Sequence, residues 1–125
     1  MKKRISILGS TGSIGMNTLD VIARHSEQFS VYALTANRNV ERLLQQCQQF
    51  KPEHVVIVEP QAATIFAQHA KALGLNCEIH QGIDALSEVA AAPQSDIVMA
   101  AIVGAAGLLS TLAAAAAGKR ILLAN

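Results

Sequence analysis

The stretch ILGSTGSIGMNTLD, residues 7–20, places Gly9, Gly12 and Gly15 three apart immediately behind an apolar run. The run reads as a strand closing at Leu8, and the residues after it as a helix carrying Ile14, Thr18, Val21 and Ile22. The glycines therefore fall in a strand-to-helix turn. Each has a different task there. Gly9 permits a positive φ, Gly12 removes a Cβ that would hold a ligand off the backbone, and Gly15 lets helix and strand pack closely. The free N–H groups of the first helical turn then face an anion, aided by the helix dipole, with hydroxyls from Thr11 and Ser13 beside them. A dinucleotide pyrophosphate suits that corner. The spacing is GxxGxxG rather than the commoner GxGxxG, so a bare glycine turn is the alternative. A P-loop is disfavoured because Met16 and Asn17, not Lys and Ser or Thr, follow Gly15.

Working outward, apolar runs of strand length recur at residues 5–8, 31–34, 55–58, 77–80, 97–103 and 121–123. Between them lie helical periods: Val40, Leu43, Leu44, Cys47 and Phe50 share one face, as do Ala62, Ile65, Phe66, His69 and Leu73. Asn39 suits the cap of the second helix, Pro60 the first turn of the third, and Gly74 and Gly118 the points where helices close. Strands alternating with helices imply βαβ units. The predicted fold is α/β: a Rossmann-like, doubly wound, mostly parallel sheet of about six strands with helices on both faces. DIVMAAIV is apolar throughout, like a central strand, whereas NCEIH alternates with polar residues, like an edge. Right-handed crossovers then give the order 4-3-2-1-5-6, with the switch point between strands one and five. The 125 residues read as a single domain.

Composition excludes several classes. Ten Lys plus Arg against nine Asp plus Glu, with no basic block, leaves no electrostatic footprint for nucleic acid. Residues 97–118 carry no charge, but Gly104 and Gly107 divide them into strand, turn and buried helix, so no membrane span is expected. Cys47 and Cys77 stand in no CxxC spacing and read as two thiols of a cytoplasmic protein without a secretion signal. The four histidines are scattered, and none forms an i, i+4 ligand pair; no metal site is expected in this chain, and His69 reads as a packed histidine. Single carboxylates such as Asp20, Glu41, Glu59, Glu88 and Asp96 read as caps or solvated charges, and no catalytic residue declares itself. Tyr32 lacks a lysine four residues on, so the YxxxK pair of short-chain dehydrogenases is absent.

The end of the second strand speaks to which dinucleotide is held. NAD-binding domains place an acid there for the ribose 2′-hydroxyl, but residues 28–40 contain Asp or Glu nowhere; the turn reads ALTANRNV instead. Arg38 between Asn37 and Asn39 suits a 2′-phosphate, because a guanidinium pairs phosphate oxygens bidentately. NADPH is expected over NADH.

With GSTGSIG at 9–15, LDV at 19–21, the Ala-Asn-Arg-Asn turn at 36–39, MAAIVGAAGL at 99–108 and GKRILLAN at 118–125, the chain closely resembles the amino-terminal part of the 1-deoxy-D-xylulose 5-phosphate reductoisomerases. The resemblance runs over all 125 residues. It implies an NADPH-dependent oxidoreductase that converts 1-deoxy-D-xylulose 5-phosphate to 2-C-methyl-D-erythritol 4-phosphate in non-mevalonate isoprenoid synthesis. It further implies a divalent cation (Mg or Mn) held outside this chain and a homodimer when intact. By the same likeness, Thr11, Gly12, Ser13 and Ile14 hold the pyrophosphate, Asn37, Arg38 and Asn39 the adenosine end, residues 100–107 line the cleft, and Asn125 reaches the nicotinamide side. Where the family often has Gly-Lys-Asn, this chain has Asn37-Arg38-Asn39 and keeps the cation. The family continues past LLAN into a domain with the metal-binding carboxylates and substrate phosphate site. This chain is accordingly expected to be an isolated cofactor domain, inactive alone and prone to self-association through apolar surface left bare. A non-catalytic nucleotide- or coenzyme A-binding module, or the cofactor domain of another NADP-dependent oxidoreductase, are the alternatives.

Overall fold

The computed structural model describes residues 1–123. Six strands alternate with five helices: β1 (Lys3–Leu8), α1 (Ser13–Arg24), β2 (Phe29–Ala36), α2 (Val40–Phe50), β3 (His54–Ile57), α3 (Pro60–Ala72), β4 (Glu78–Gln81), α4 (Ile83–Ala91), β5 (Ile97–Ala100), α5 (Ala105–Ala116) and β6 (Arg120–Leu123). The strands form one sheet in the order β4-β3-β2-β1-β5-β6, and every adjacent pair is parallel. The expected doubly wound sheet and its strand order are therefore what the chain adopts. Ile7 and Leu8, adjacent on β1, are both fully buried, as a central strand covered on both faces requires.

Two apolar layers flank the sheet. On one side Leu19 and Ile22 of α1, Leu43 and Cys47 of α2, and Phe66 of α3 pack on Ile5, Ile7, Leu34 and Val55. On the other, Leu86 and Val89 of α4 and Ala114 of α5 cover Leu8, Val56 and Val98. The helix ends follow local chemistry. Asn39 accepts from the Arg42 N–H, and Glu59 accepts from Gln61 and Ala62 ahead of Pro60. At the other end of α3, Gly74 and Leu75 donate to the carbonyls of Lys71 and Ala70, and Gly118 and Lys119 close α5 in the same way.

Three expectations change. The fifth strand stops at Ala100, not Val103, because its register partner on β1 is Leu8, the last residue of that strand. The inward face of α1 is Gly15, Leu19 and Ile22, while Ile14 and Val21 are 39% and 50% exposed. His69 is exposed rather than packed, since α3 turns Phe66 and Ala70 to the sheet. Among the described residues no helix is long and apolar enough to cross a membrane; the uncharged tract is β5, a turn and α5. Cys47 of α2 and Cys77, the residue before β4, are thirty apart by number yet meet, and both are free. The Cys47 thiol donates to Cys77, which holds the Cys77 thiol down at about 7 and pushes that of Cys47 up.

The position of α1 depends on Gly15. A Cβ there would lie 2.4 Å from the Gly9 carbonyl oxygen and 2.5 Å from the Ser10 Cα, both backbone atoms that cannot move aside. Gly15→Ala is expected to destabilise the fold by about 3 kcal/mol, the upper end of overpacking costs, measured by urea unfolding. An unchanged midpoint would mean that α1 does not sit this close.

Candidate cofactor site

All six strands run the same way, so their carboxyl ends line one edge of the sheet. The crossovers diverge on either side of β1: α1 returns toward β2, whereas β5 arrives on the other flank from α4. At that switch point an open α/β sheet leaves a crevice. The β1–α1 turn, Gly9–Gly12, lies in it.

The turn is held from three directions. Gly9 adopts φ +85°, and an added Cβ would meet the Ala101 carbonyl oxygen and Ile102 at 3.0 Å, so the β5–α5 turn presses directly on it. The Gly9 and Ser10 N–H groups donate to the side-chain and backbone oxygens of Thr35 on β2, each at 2.8 Å. Ser10 is fully buried, and its hydroxyl donates to the Gln46 Oε1 while Gln46 Nε2 donates back to the Ser10 carbonyl, both at 2.8 Å. A helix-borne amide thus clamps the turn through a reciprocal pair.

What the clamp leaves free is the helix start. Gly12 is the N-cap of α1, so no side chain caps its first N–H groups, and Gly12, Ser13 and Ile14 are exposed with Thr11 half-buried. Gly12 has φ −80° and ψ 174°, a conformation open to any residue. An added Cβ would find only the Gly9 carbonyl oxygen at 3.9 Å. The fold does not require glycine there.

Asn37, Arg38 and Asn39 lie in the β2–α2 turn, on the same edge of the sheet, and all three are exposed. The Asn37 backbone carbonyl accepts from the Glu59 N–H and the Asn39 side chain caps α2, while the Arg38 side chain is exposed. Arg42, one helical turn later, donates to the Thr11 carbonyl at 3.2 Å and ties the two turns together. The expected pyrophosphate and adenosine residues are thus neighbours through Thr35, Gln46 and Arg42. None of those three, nor Ser10, was expected from sequence. The local signal was Gln46, a polar residue on the otherwise apolar inward face of α2. The residues from Ala100 to Gly107 form the end of β5, the turn and the start of α5, against Gly9. Asn125 lies outside the described residues.

The expectation that this chain offers a metal ion no ligands is corrected. At the opposite, amino-terminal edge of the sheet His54 opens β3, Glu78 is its register partner on β4, and His80 follows two residues along on the same face. His54 Nδ1 lies 3.0 Å from His80 Nε2 and 3.2 Å from a Glu78 carboxylate oxygen, and one ligand atom from each residue lies within 4.8 Å of the others. These residues escape a search for helical ligand spacing because strand pairing brings them together.

Three comparisons bear on the site. The family model described as 1-deoxy-D-xylulose 5-phosphate reductoisomerase matches residues 5–125. Curated relatives of that name include those of Nitrosococcus oceani, 58% identical over 121 residues and covering 97% of this chain, and of Janthinobacterium sp., 57% identical over 98% of it. The chain spans about a third of their length, 31% and 32%. Among solved structures, DOX-P reductoisomerase in complex with NADPH, fosmidomycin and magnesium superposes with a TM-score of 0.94 at 45% identity, over 98% of this chain and 30% of that one. The Zymomonas mobilis enzyme in complex with NADPH gives a TM-score of 0.92 at 41% identity, over 100% of this chain and 32% of that one.

The clamp is open to test. Gln46→Leu keeps the bulk but leaves the Ser10 hydroxyl and carbonyl without their partner, and should cost about 2 kcal/mol of stability. The β1–α1 amides should also exchange faster with solvent than those of α3, as read by hydrogen exchange. Uniform acceleration would deny Gln46 its local role.

Proposed function

The chain belongs to the 1-deoxy-D-xylulose 5-phosphate reductoisomerase family, and on that footing we propose that residues 1–125 are an NADPH-binding domain. Gly12 carries the proposal. Its conformation and surroundings admit a side chain, so its lack of one is explained by a diphosphate resting against the backbone. The uncapped start of α1 fits that group by charge as well, since the first-turn N–H groups and the positive end of the helix dipole converge there.

Thr11, Gly12, Ser13 and Ile14 hold the diphosphate, the last two chiefly through the backbone. Asn37, Arg38 and Asn39 take the adenosine end, with the Arg38 guanidinium on the 2′-phosphate. Asn125 is assigned to the nicotinamide by the family likeness alone. When bound, the coenzyme supplies the hydride; the chain binds it and fixes its orientation at the carboxyl edge of β1 and β5. In the whole protein this serves the rearrangement and reduction of 1-deoxy-D-xylulose 5-phosphate to 2-C-methyl-D-erythritol 4-phosphate, by a homodimer whose further residues act on the substrate. The outer face of α5 supports that arrangement: Leu108, Leu109 and Leu112 are each more than half exposed, an apolar stripe suited to packing on further protein.

Calorimetry with NADPH, NADH and coenzyme A tests the reading. NADPH should bind tightest, and coenzyme A binding better than NADPH would sink the proposal. Gly12→Ala should leave the melting temperature nearly unchanged while weakening NADPH binding roughly tenfold to a hundredfold, the range that an overpacked contact costs. Equal losses of stability and affinity would return Gly12 to a purely structural role. Arg38→Ala should cut the preference for NADPH over NADH by about tenfold or more, the worth of a charge-assisted hydrogen bond. A preserved preference would assign the 2′-phosphate elsewhere.

A further inference from the structure

We propose that His54, Glu78 and His80 bind a divalent transition-metal ion of the zinc class, which staples the edge strand β4 to β3 at the end of the sheet remote from the coenzyme. Two imidazoles and one carboxylate are a recurrent set for such an ion, with water as the fourth ligand. Nitrogen and oxygen ligands about 2.0–2.2 Å from a tetrahedral ion stand about 3.3 Å from one another. The separations of 3.0 Å and 3.2 Å around His54 Nδ1 are close to that edge, and the exposed Glu78 side chain is free to close the remaining one. Hydrogen bonding alone serves this cluster poorly. His54 Nδ1 carries either one proton or one lone pair, yet it faces both a ring nitrogen and a carboxylate oxygen. A cation among the three satisfies all of them at once.

The scaffold orients the ligands without the ion. Tyr32, the extra residue where β2 bulges against β1, packs its ring 4.8 Å from that of His54, and the His80 ring lies 5.2 Å beyond at 22° to it. Arg4 sits over the Tyr32 ring and is neutralised by its ion pair with Glu53. Imidazole donors select zinc, cobalt, nickel or copper over magnesium or calcium. The role is structural: β4 is four residues long and hydrogen-bonded to one neighbour only, so a cross-link to β3 secures the least supported strand of that wing.

The test uses the full chain stripped with chelator, titrated with zinc chloride by calorimetry and with cobalt chloride by visible absorption. One equivalent should bind, with the intense d–d bands of four-coordinate cobalt and no thiolate charge-transfer band. The melting temperature should climb with zinc and stay put with equal magnesium. His80→Gln and Glu78→Gln, both on the accessible strand, should each weaken zinc at least about tenfold, no less than the loss of an outer-shell partner. Their metal-free melting temperatures should stay close to that of the parent, which separates ligation from folding. The proposal is overturned by absence of saturable one-to-one binding, by affinity unchanged in both variants, or by a charge-transfer band placing the ion on Cys47 and Cys77.

Discussion

The contact on which the molecule turns is the one between α1 and the chain that enters it. With no Cβ at Gly15, the helix drops onto the backbone of Gly9 and Ser10, and that approach aims its uncapped first turn at the crevice between β1 and β5. Every other feature of the carboxyl edge answers to it. Gly9 bends sharply enough to deliver the chain, Thr35 receives the amides of the bend, and Gln46 fastens Ser10 from α2. A helix lifted by one methyl group would lose the register of this whole set. The amides would then point away from the crevice.

The two ends of the parallel sheet offer different chemistry. At the carboxyl edge the groups on offer are main-chain N–H donors, whose placement depends on turns and whose chemistry suits an anion. At the amino edge they are side chains of neighbouring strands, spaced by the pleat and chemically suited to a cation. The separation is physical: helix N-termini gather only where strands end and helices begin. Both edges are rigid because β1, β2 and β3 between them are buried on both faces by Ile7, Leu8, Leu34, Val55 and Val56.

The helices divide the remaining work unequally. Those on the face of α1, α2 and α3 bury branched and aromatic side chains, whereas α5 turns the small Gly107, Ser110 and Ala114 inward and its leucines outward. Small residues let α5 lie close to the β5 turn, where a Cβ at Gly107 would strike the Ile102 carbonyl. An inward face of small residues and an outward face of large ones reverses the usual helix. That is why the apolar tract of residues 97–118 resembles a membrane span until its glycines are read.

From the residues alone came everything governed by neighbours within a turn or two: the alternation of strands and helices, the Asn39 and Pro60 starts, the glycine closures, and the tight glycine turn from β1 into α1. Strand order was legible too, because IVMA at the centre and EIHQ at the edge differ in how much water they tolerate. The tertiary structure alone decided which side of α1 faces inward, that Ser10, Thr35 and Gln46 form one clamp, and that His54, Glu78 and His80 stand together. Periodicity and capping are short-range energies written in adjacent residues. The register of parallel strands and the depth at which a helix seats are set by packing between segments tens of residues apart, which no local pattern encodes.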